Sequence, residues 1–220
     1  MSSVAPFWDG NETWLVLGGG GLFAAFPLAY AILMPAFYIP LFLMLLGLIA
    51  RGVSFEFRFK AEGKSRQLWN YVFHFGSLFA TLTQGMILGA FVQGVDVTGR
   101  SFSGGAYDWL NAFSVMTGVA LVCGYGLLGS TWLIMKTEDI TREWARKCAY
   151  YLFGYVAFFM GLVSLCMPLM DERIKELWFS LPNFYYLGVM PLLCIVMFIY
   201  LWRQLGRGDD FKPFFLTLGI

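Results

Sequence analysis

Apolar and polar positions alternate along this chain in long blocks rather than at helical or strand period. Six apolar runs, at about 12–34, 35–57, 70–93, 109–135, 147–170 and 183–203, each approach the roughly 20 residues that a helix needs to cross a bilayer. Polar stretches separate all but the first two, which meet at Met34-Pro35. Pro27, Pro35 and Pro40 crowd that junction. Proline removes a backbone donor, so they predict a tight hairpin or kinked helix ends there. The pattern predicts an all-α, polytopic transmembrane helix bundle with six spans.

Composition sharpens this reading. Of 220 residues, 59% are hydrophobic and 13% charged, about half the charge of a soluble domain. Aromatic residues reach 19%, with 23 Phe, 11 Tyr and 8 Trp, which suits lipid contact and headgroup belts. A formal net charge of +1 offers nothing to a nucleic-acid backbone. Basic residues orient the spans: the 58–68 stretch holds Arg58, Lys60, Lys64 and Arg66, and the 136–147 stretch holds Lys136, Arg142, Arg146 and Lys147. The tail holds Arg203, Arg207 and Lys212, whereas 94–108 has only Arg100 and the basic residues of 171–182 are outweighed by Asp171, Glu172 and Glu176. The first two stretches and the tail are therefore expected at the cytoplasmic face, as is the start of the first span. Lengths suggest two groups of three spans, 1–93 and 109–203, divided by "GVDVTGRSFSGGAYD". A tail at 204–220 ends on the apolar "PFFLTLGI", expected as the opening of a further span.

Few residues are candidates for chemistry. Cys123, Cys148, Cys166 and Cys194 form no C-x-x-C pair and read as packing residues. The single histidine, His74, reads as an interfacial residue, and a haem or metal centre normally needs several ligands at fixed positions. Gly18-Gly19-Gly20-Gly21 has no following Lys-Ser/Thr and no strand before it, which excludes a phosphate loop. Close helix packing is the expectation there and at Gly85…Gly89. Asp9-Gly10-Asn11-Glu12 opens the first apolar run. It fits a capping-box variant at a helix start, and equally a proton-collecting carboxylate at the mouth of a polar path. Arg51 lies inside "LFLMLLGLIARGVSFEF". A charge at mid-membrane costs about 2.5–3.5 kcal/mol on insertion scales, so it must snorkel or find an acidic partner on another helix or subunit.

The run "APFWDGNETWLVLGGGGLFAAFPLAYA", followed by "ARGVSFEFRFK" and "GAFVQG", closely resembles subunit II of cytochrome bd-type ubiquinol oxidases, including the cyanide-insensitive branch. The resemblance implies eight spans in two four-helix bundles, so the first and last spans are expected to be missing here. It implies a partner, subunit I, that holds haems b and d and oxidises ubiquinol; this chain would ligate no haem or metal itself. Small accessory subunits, membrane lipid and ubiquinone are further expected partners, in the bacterial cytoplasmic (inner) membrane. Proton entry is implied at Asp9, with Glu12 beside it, and a buried polar network at Arg51 with Trp8 and Asn11. Some members carry glutamine at the position of Glu12, so its ionisation is not expected to be essential. A secondary transporter, or a purely structural membrane partner, is the alternative reading.

Overall fold

The computed structural model describes residues 3–170 and 172–220; Asp171 and the side chain of Asn11 lie outside the described residues. The element order is α1 (Trp8–Ala25), α2 (Pro27–Ala36), α3 (Tyr38–Lys60), α4 (Gly63–Gln93), β1 (Val97–Thr98), β2 (Ser101–Phe102), α5 (Ala112–Lys136), α6 (Asp139–Met170), α7 (Glu172–Phe179), α8 (Asn183–Arg207) and α9 (Lys212–Gly219). Among the described residues, α3, α4, α5, α6 and α8 are long and apolar enough to cross a membrane. The chain is thus an all-α, multi-pass membrane protein.

The first expected span is two helices rather than one. Proline at 27 disfavours helical geometry at the residue before it, and Phe26 takes φ −132° and ψ 61°. The break is mild: Phe26 N–H still donates to Leu22 O at 2.9 Å, and Tyr30 N–H to Phe26 O at 3.0 Å. Pro27 then occupies the first turn of α2, where its missing N–H costs nothing. A second break at Phe37 separates α2 from α3.

The chain divides into two compact units, Met1–Val122 and Cys123–Ile220. In the first, α3 packs along α4 through a reciprocal glycine contact. A Cβ placed on Gly47 would lie 2.9 Å from Gly76 O, and one on Gly76 would lie 2.9 Å from Gly47 O. Only backbones without side chains can approach so closely. At its far end α4 meets the start of α5 in the same way. A Cβ on Gly85 would sit 2.7 Å from Gly118 Cα, and Thr117 Oγ1 donates to Gly85 O at 3.0 Å. The packing expected for Gly85 and Gly89 is present, whereas a Cβ on any of Gly18 to Gly21 meets nothing within 4 Å. Among the described residues, side chains could be added along the tetraglycine stretch without meeting a neighbour.

The 94–111 connection is ordered. Val97–Thr98 pairs antiparallel with Ser101–Phe102 across a turn in which Gly99 takes φ +65°, a conformation glycine adopts freely. Beneath it Ala36, Phe37, Met86, Ala90 and the buried Trp109 form a core. Asn111 and Ser114 start α5 with a reciprocal cap: Ser114 N–H donates to Asn111 Oδ1 at 2.8 Å and Asn111 N–H to Ser114 Oγ at 3.0 Å.

The second unit is organised around Leu127, Ile134, Ala145, Ala149, Leu201 and Leu205 from α5, α6 and α8. The 171–182 stretch, expected as a loop, contains the short amphipathic α7, and the apolar tail forms α9, whose Leu216 packs against this core. Gly208, at φ +78°, ends α8 in the left-handed conformation that closes many helices.

Candidate functional site

The first turns of α1 and the second half of α3 bring together three of the residues singled out above. Arg51 donates from Nε and Nη2 to the same Glu12 oxygen, Oε1, at 3.0 and 2.7 Å. Both side chains are largely withdrawn, 27% and 22% exposed. At 1.5 Å per residue Arg51 lies about 10 Å inward of Arg58 along α3. Its charge is met by a carboxylate from another helix of the same chain.

Aromatic packing sets the approach of α1. Trp8 stacks on Phe55 with centroids 4.9 Å apart and planes 8° from parallel, and Phe55 meets Phe73 of α4 edge-on at 5.2 Å. Phe55 is only 3% exposed. Gly52 leaves room for both partners: a Cβ there would lie 3.2 Å from Trp8 Cζ3 and 3.7 Å from Glu12 Oε2. A Cβ there would require the Trp8 ring to give by a few tenths of an ångström.

Asp9 occupies the first turn of α1 and is exposed. Its backbone carbonyl accepts from Thr13 Oγ1 at 2.9 Å; among the described residues no side chain bonds its carboxylate. The capping-box alternative is not realised. Phe7 is the N-cap residue and makes no side-chain cap hydrogen bond, and Glu12 is committed to Arg51. The role of Asn11 in this network falls outside the described residues.

At the far end of the chain the structure adds a cluster that the sequence reading did not name. Arg142 Nη1 and Arg146 Nη2, from the first turns of α6, donate to the two carboxylate oxygens of Asp210 at 2.8 and 3.0 Å. Arg146 Nη1 also donates to Leu205 O at 3.0 Å, satisfying a carbonyl in the last turn of α8. The signal was present as R-x-x-x-R, which puts both arginines on one helix face. It was hidden because 136–147 was read as a loop.

His74 is exposed on α4, its ring edge-on to Phe75 at 5.3 Å. Among the described residues no group of three or more His, Cys, Asp or Glu side chains converges as a metal site would. Between α6 and α8 lies an apolar crevice of about 690 Å³, walled by Phe153, Trp178, Phe198 and Trp202.

A multi-pass helical membrane protein with an ion pair drawn into its first helices is the class that fold and site define. The profile of the cytochrome bd terminal oxidase subunit II family matches residues 1–220, and the chain belongs to that family. It is 34% identical over 214 residues to the cytochrome bd ubiquinol oxidase subunit 2 of Bacillus subtilis (strain 168), covering 96% of this chain and 62% of that protein. It is 36% identical over 226 residues to the cytochrome bd-I ubiquinol oxidase subunit 2 of Escherichia coli (strain K12), covering 90% of this chain and 60% of that one. The probable cytochrome oxidase subunit 2 of Haemophilus influenzae is 35% identical over 152 residues, 66% of this chain and 40% of its own length. The chain thus spans about three fifths of the length of the first two of these relatives.

Proposed function

We propose that this chain is the membrane subunit of a quinol-oxidising, dioxygen-reducing terminal oxidase that ligates no haem and gives a haem-bearing partner its scaffold and its access to cytoplasmic protons. The observation that carries this reading is the family match along the whole chain. Haems b and d belong, in this reading, to subunit I, and ubiquinol is the electron donor of the complex in the bacterial cytoplasmic membrane. Quinol oxidation releases protons outside; reduction of dioxygen to water consumes protons from inside. The separation of charge then needs a proton path but no pump.

Asp9 is assigned the entry to that path. It is exposed at the end of α1 that the distribution of basic residues puts at the cytoplasmic face. Arg51 and Glu12, with Trp8 stacked beside them, form the polar network that holds this entrance against α3. Asp9→Asn tests the assignment cleanly because Asp9 is not a side-chain cap. The substitution costs only the favourable interaction of an acid with the helix N-terminus, about 0.3–1 kcal/mol. In the complex assembled with its partner, Asp9→Asn should keep normal haem content while quinol-driven oxygen consumption per haem falls about tenfold or more. Asp9→Glu should retain more activity than Asp9→Asn. Equal turnover for wild type and Asp9→Asn at every pH would remove Asp9 from the path. A purified complex without reduced-haem absorption bands would remove the oxidase reading itself.

A further inference from the structure

α7 joins two helices, α6 and α8, that are each long and apolar enough to cross a membrane. One residue separates α6 from α7, and three separate α7 from α8. On such short tethers this helix, about 12 Å long, cannot leave the membrane boundary. Its direction is set by Trp178, whose ring shares the walls of the α6–α8 crevice with Ser164 and Met190. Ser164 lies six residues before the end of α6 and Met190 seven after the start of α8. Both are therefore about 9–11 Å inside the spans. α7 also packs against α6 and against α8. It is folded back over the crevice rather than projecting from it.

The faces of α7 divide accordingly. Ile174 and Trp178, one turn apart, are partly buried. Leu177 flanks them at the spacing of an amphipathic helix, yet it is more than half exposed. Leu181, Tyr185 and Tyr186, in the turn that follows and the start of α8, are more than half exposed as well. Glu172, Lys175 and Glu176 occupy the other side and are exposed, with Lys175 Nζ 3.4 Å from Glu172 Oε1. Phe179 ends the helix on that charged side, where an aromatic ring suits the headgroup level. Along α7 two acids, Glu172 and Glu176, cancel two bases, Arg173 and Lys175, so net charge draws it to no partner.

We propose that α7 is a membrane-surface anchor whose partner is the bilayer itself: it lies along the headgroup layer, with Leu177 and Leu181 inserted among the acyl chains nearest the surface and Glu172, Lys175 and Glu176 turned to water. Its place between two spans brings lipid to this face. An apolar stripe of this kind enters about 5–10 Å into the boundary between headgroups and acyl chains, a level that Tyr185 and Tyr186 also suit. Because the helix charges cancel, insertion is driven by apolar burial and needs no anionic lipid. Anchored in this way, α7 holds the joined ends of α6 and α8 at one depth.

The test places a photoreactive diazirine amino acid at position 177, or at position 176 as the charged-face reference, in the full chain assembled with its partner in phosphatidylcholine bilayers. After illumination, mass spectrometry of the α7 peptide separates lipid adducts, water adducts and crosslinks to protein. At 177 lipid adducts should exceed water adducts by about tenfold, the preference of a buried leucine side chain for apolar surroundings. At 176 water adducts should dominate. Replacing part of the lipid with phosphatidylglycerol should leave the ratio at 177 unchanged. An excess of water adducts at 177 would put this face in solvent and overturn the proposal. Crosslinks from 177 to another subunit would make it a protein interface and overturn the proposal as well. Failure of the 177 variant to assemble would do the same, since a side chain facing lipid tolerates the change. Equal lipid yields at 176 and 177 would remove the division into two faces, and a ratio that rises with phosphatidylglycerol would overturn insertion by apolar burial.

Discussion

Asp209 Oδ1 accepts the backbone N–H groups of Phe211 and Lys212, each at 3.0 Å, and its other oxygen lies 3.0 Å from Lys212 Nζ. These contacts hold its carboxyl below the ordinary value of 3.8, the Lys212 N–H first among them, and hold the Lys212 ammonium above its ordinary 10.5. A lowered carboxyl stabilises the folded corner above its ordinary value and loses that contribution as pH falls through the lowered one. A raised ammonium contributes below its ordinary value and loses that as pH rises through the raised one. The turn from α8 into α9 should therefore be firmest between these limits. Asp209→Ala should speed hydrogen exchange of the Phe211 and Lys212 amides at neutral pH, while Asp209→Asn, still an acceptor, should slow it again. Unchanged exchange in Asp209→Ala would mean that the turn is held from elsewhere. Next along the chain, Asp210 instead binds Arg142 and Arg146. That use of Asp210 was not legible, because residues this far apart in sequence meet only once α6 and α8 pack. The same limit applied at the other end. Asp9 and Glu12 could be marked as acids at a helix start, but that Glu12 serves Arg51 depends on the pairing of α1 with α3.

Helices were easier to read than their ends. Hydropathy marks the part of a helix that lies in lipid, so 70–93 and 147–170 were found; yet α4 begins at Gly63 and α6 at Asp139. The extra turns are charged and helix-compatible, and nothing in an apolar window registers them. Prolines marked the broken first segment, although the breaks fall at Phe26 and Phe37, set by Pro27 and the packing of Phe37 in the core under the hairpin. Glycine was ambiguous in a different way. Gly85 and Gly89 meet α5 closely, while a Cβ on Gly18 to Gly21 would meet none of the described residues within 4 Å, because composition identifies a face fit for close approach but not its neighbour. Gly76 tests this. Its Cβ would face Gly47 O at 2.9 Å and Arg51 N at 3.1 Å, both backbone atoms that cannot swing aside. Gly76→Ala should force α3 from α4 and destabilise the first unit by about 1–3 kcal/mol, the usual cost of overpacking. Gly124→Ala, where a Cβ meets nothing within 4 Å, should not. Thermal unfolding in detergent distinguishes them, and equal midpoints would mean that the helices adjust freely.

At the scale of the whole molecule, the family was legible because two independent features converge: long apolar runs that mark a multi-pass chain, and the W-D-G-N-E-x-W run before a glycine-rich helix. The family match extends along the same chain. Its implication for cofactors can be tested on this chain's own residues. His74 is the single histidine, and it sits exposed with its ring edge toward Phe75. A haem held there would need the ring directed into a pocket and, in a six-coordinate centre, a second ligand opposite. The proposal that every haem belongs to the partner therefore predicts that His74→Ala leaves haem per complex unchanged. Exposed substitutions of this kind usually shift stability by no more than about 0.5 kcal/mol, so assembly should not confound the count. The measurement is the pyridine haemochrome content of the purified complex, compared with its reduced-minus-oxidised spectrum. Loss of one haem per complex, with protein assembly intact, would transfer a ligand to this subunit and end the division of labour proposed for the pair.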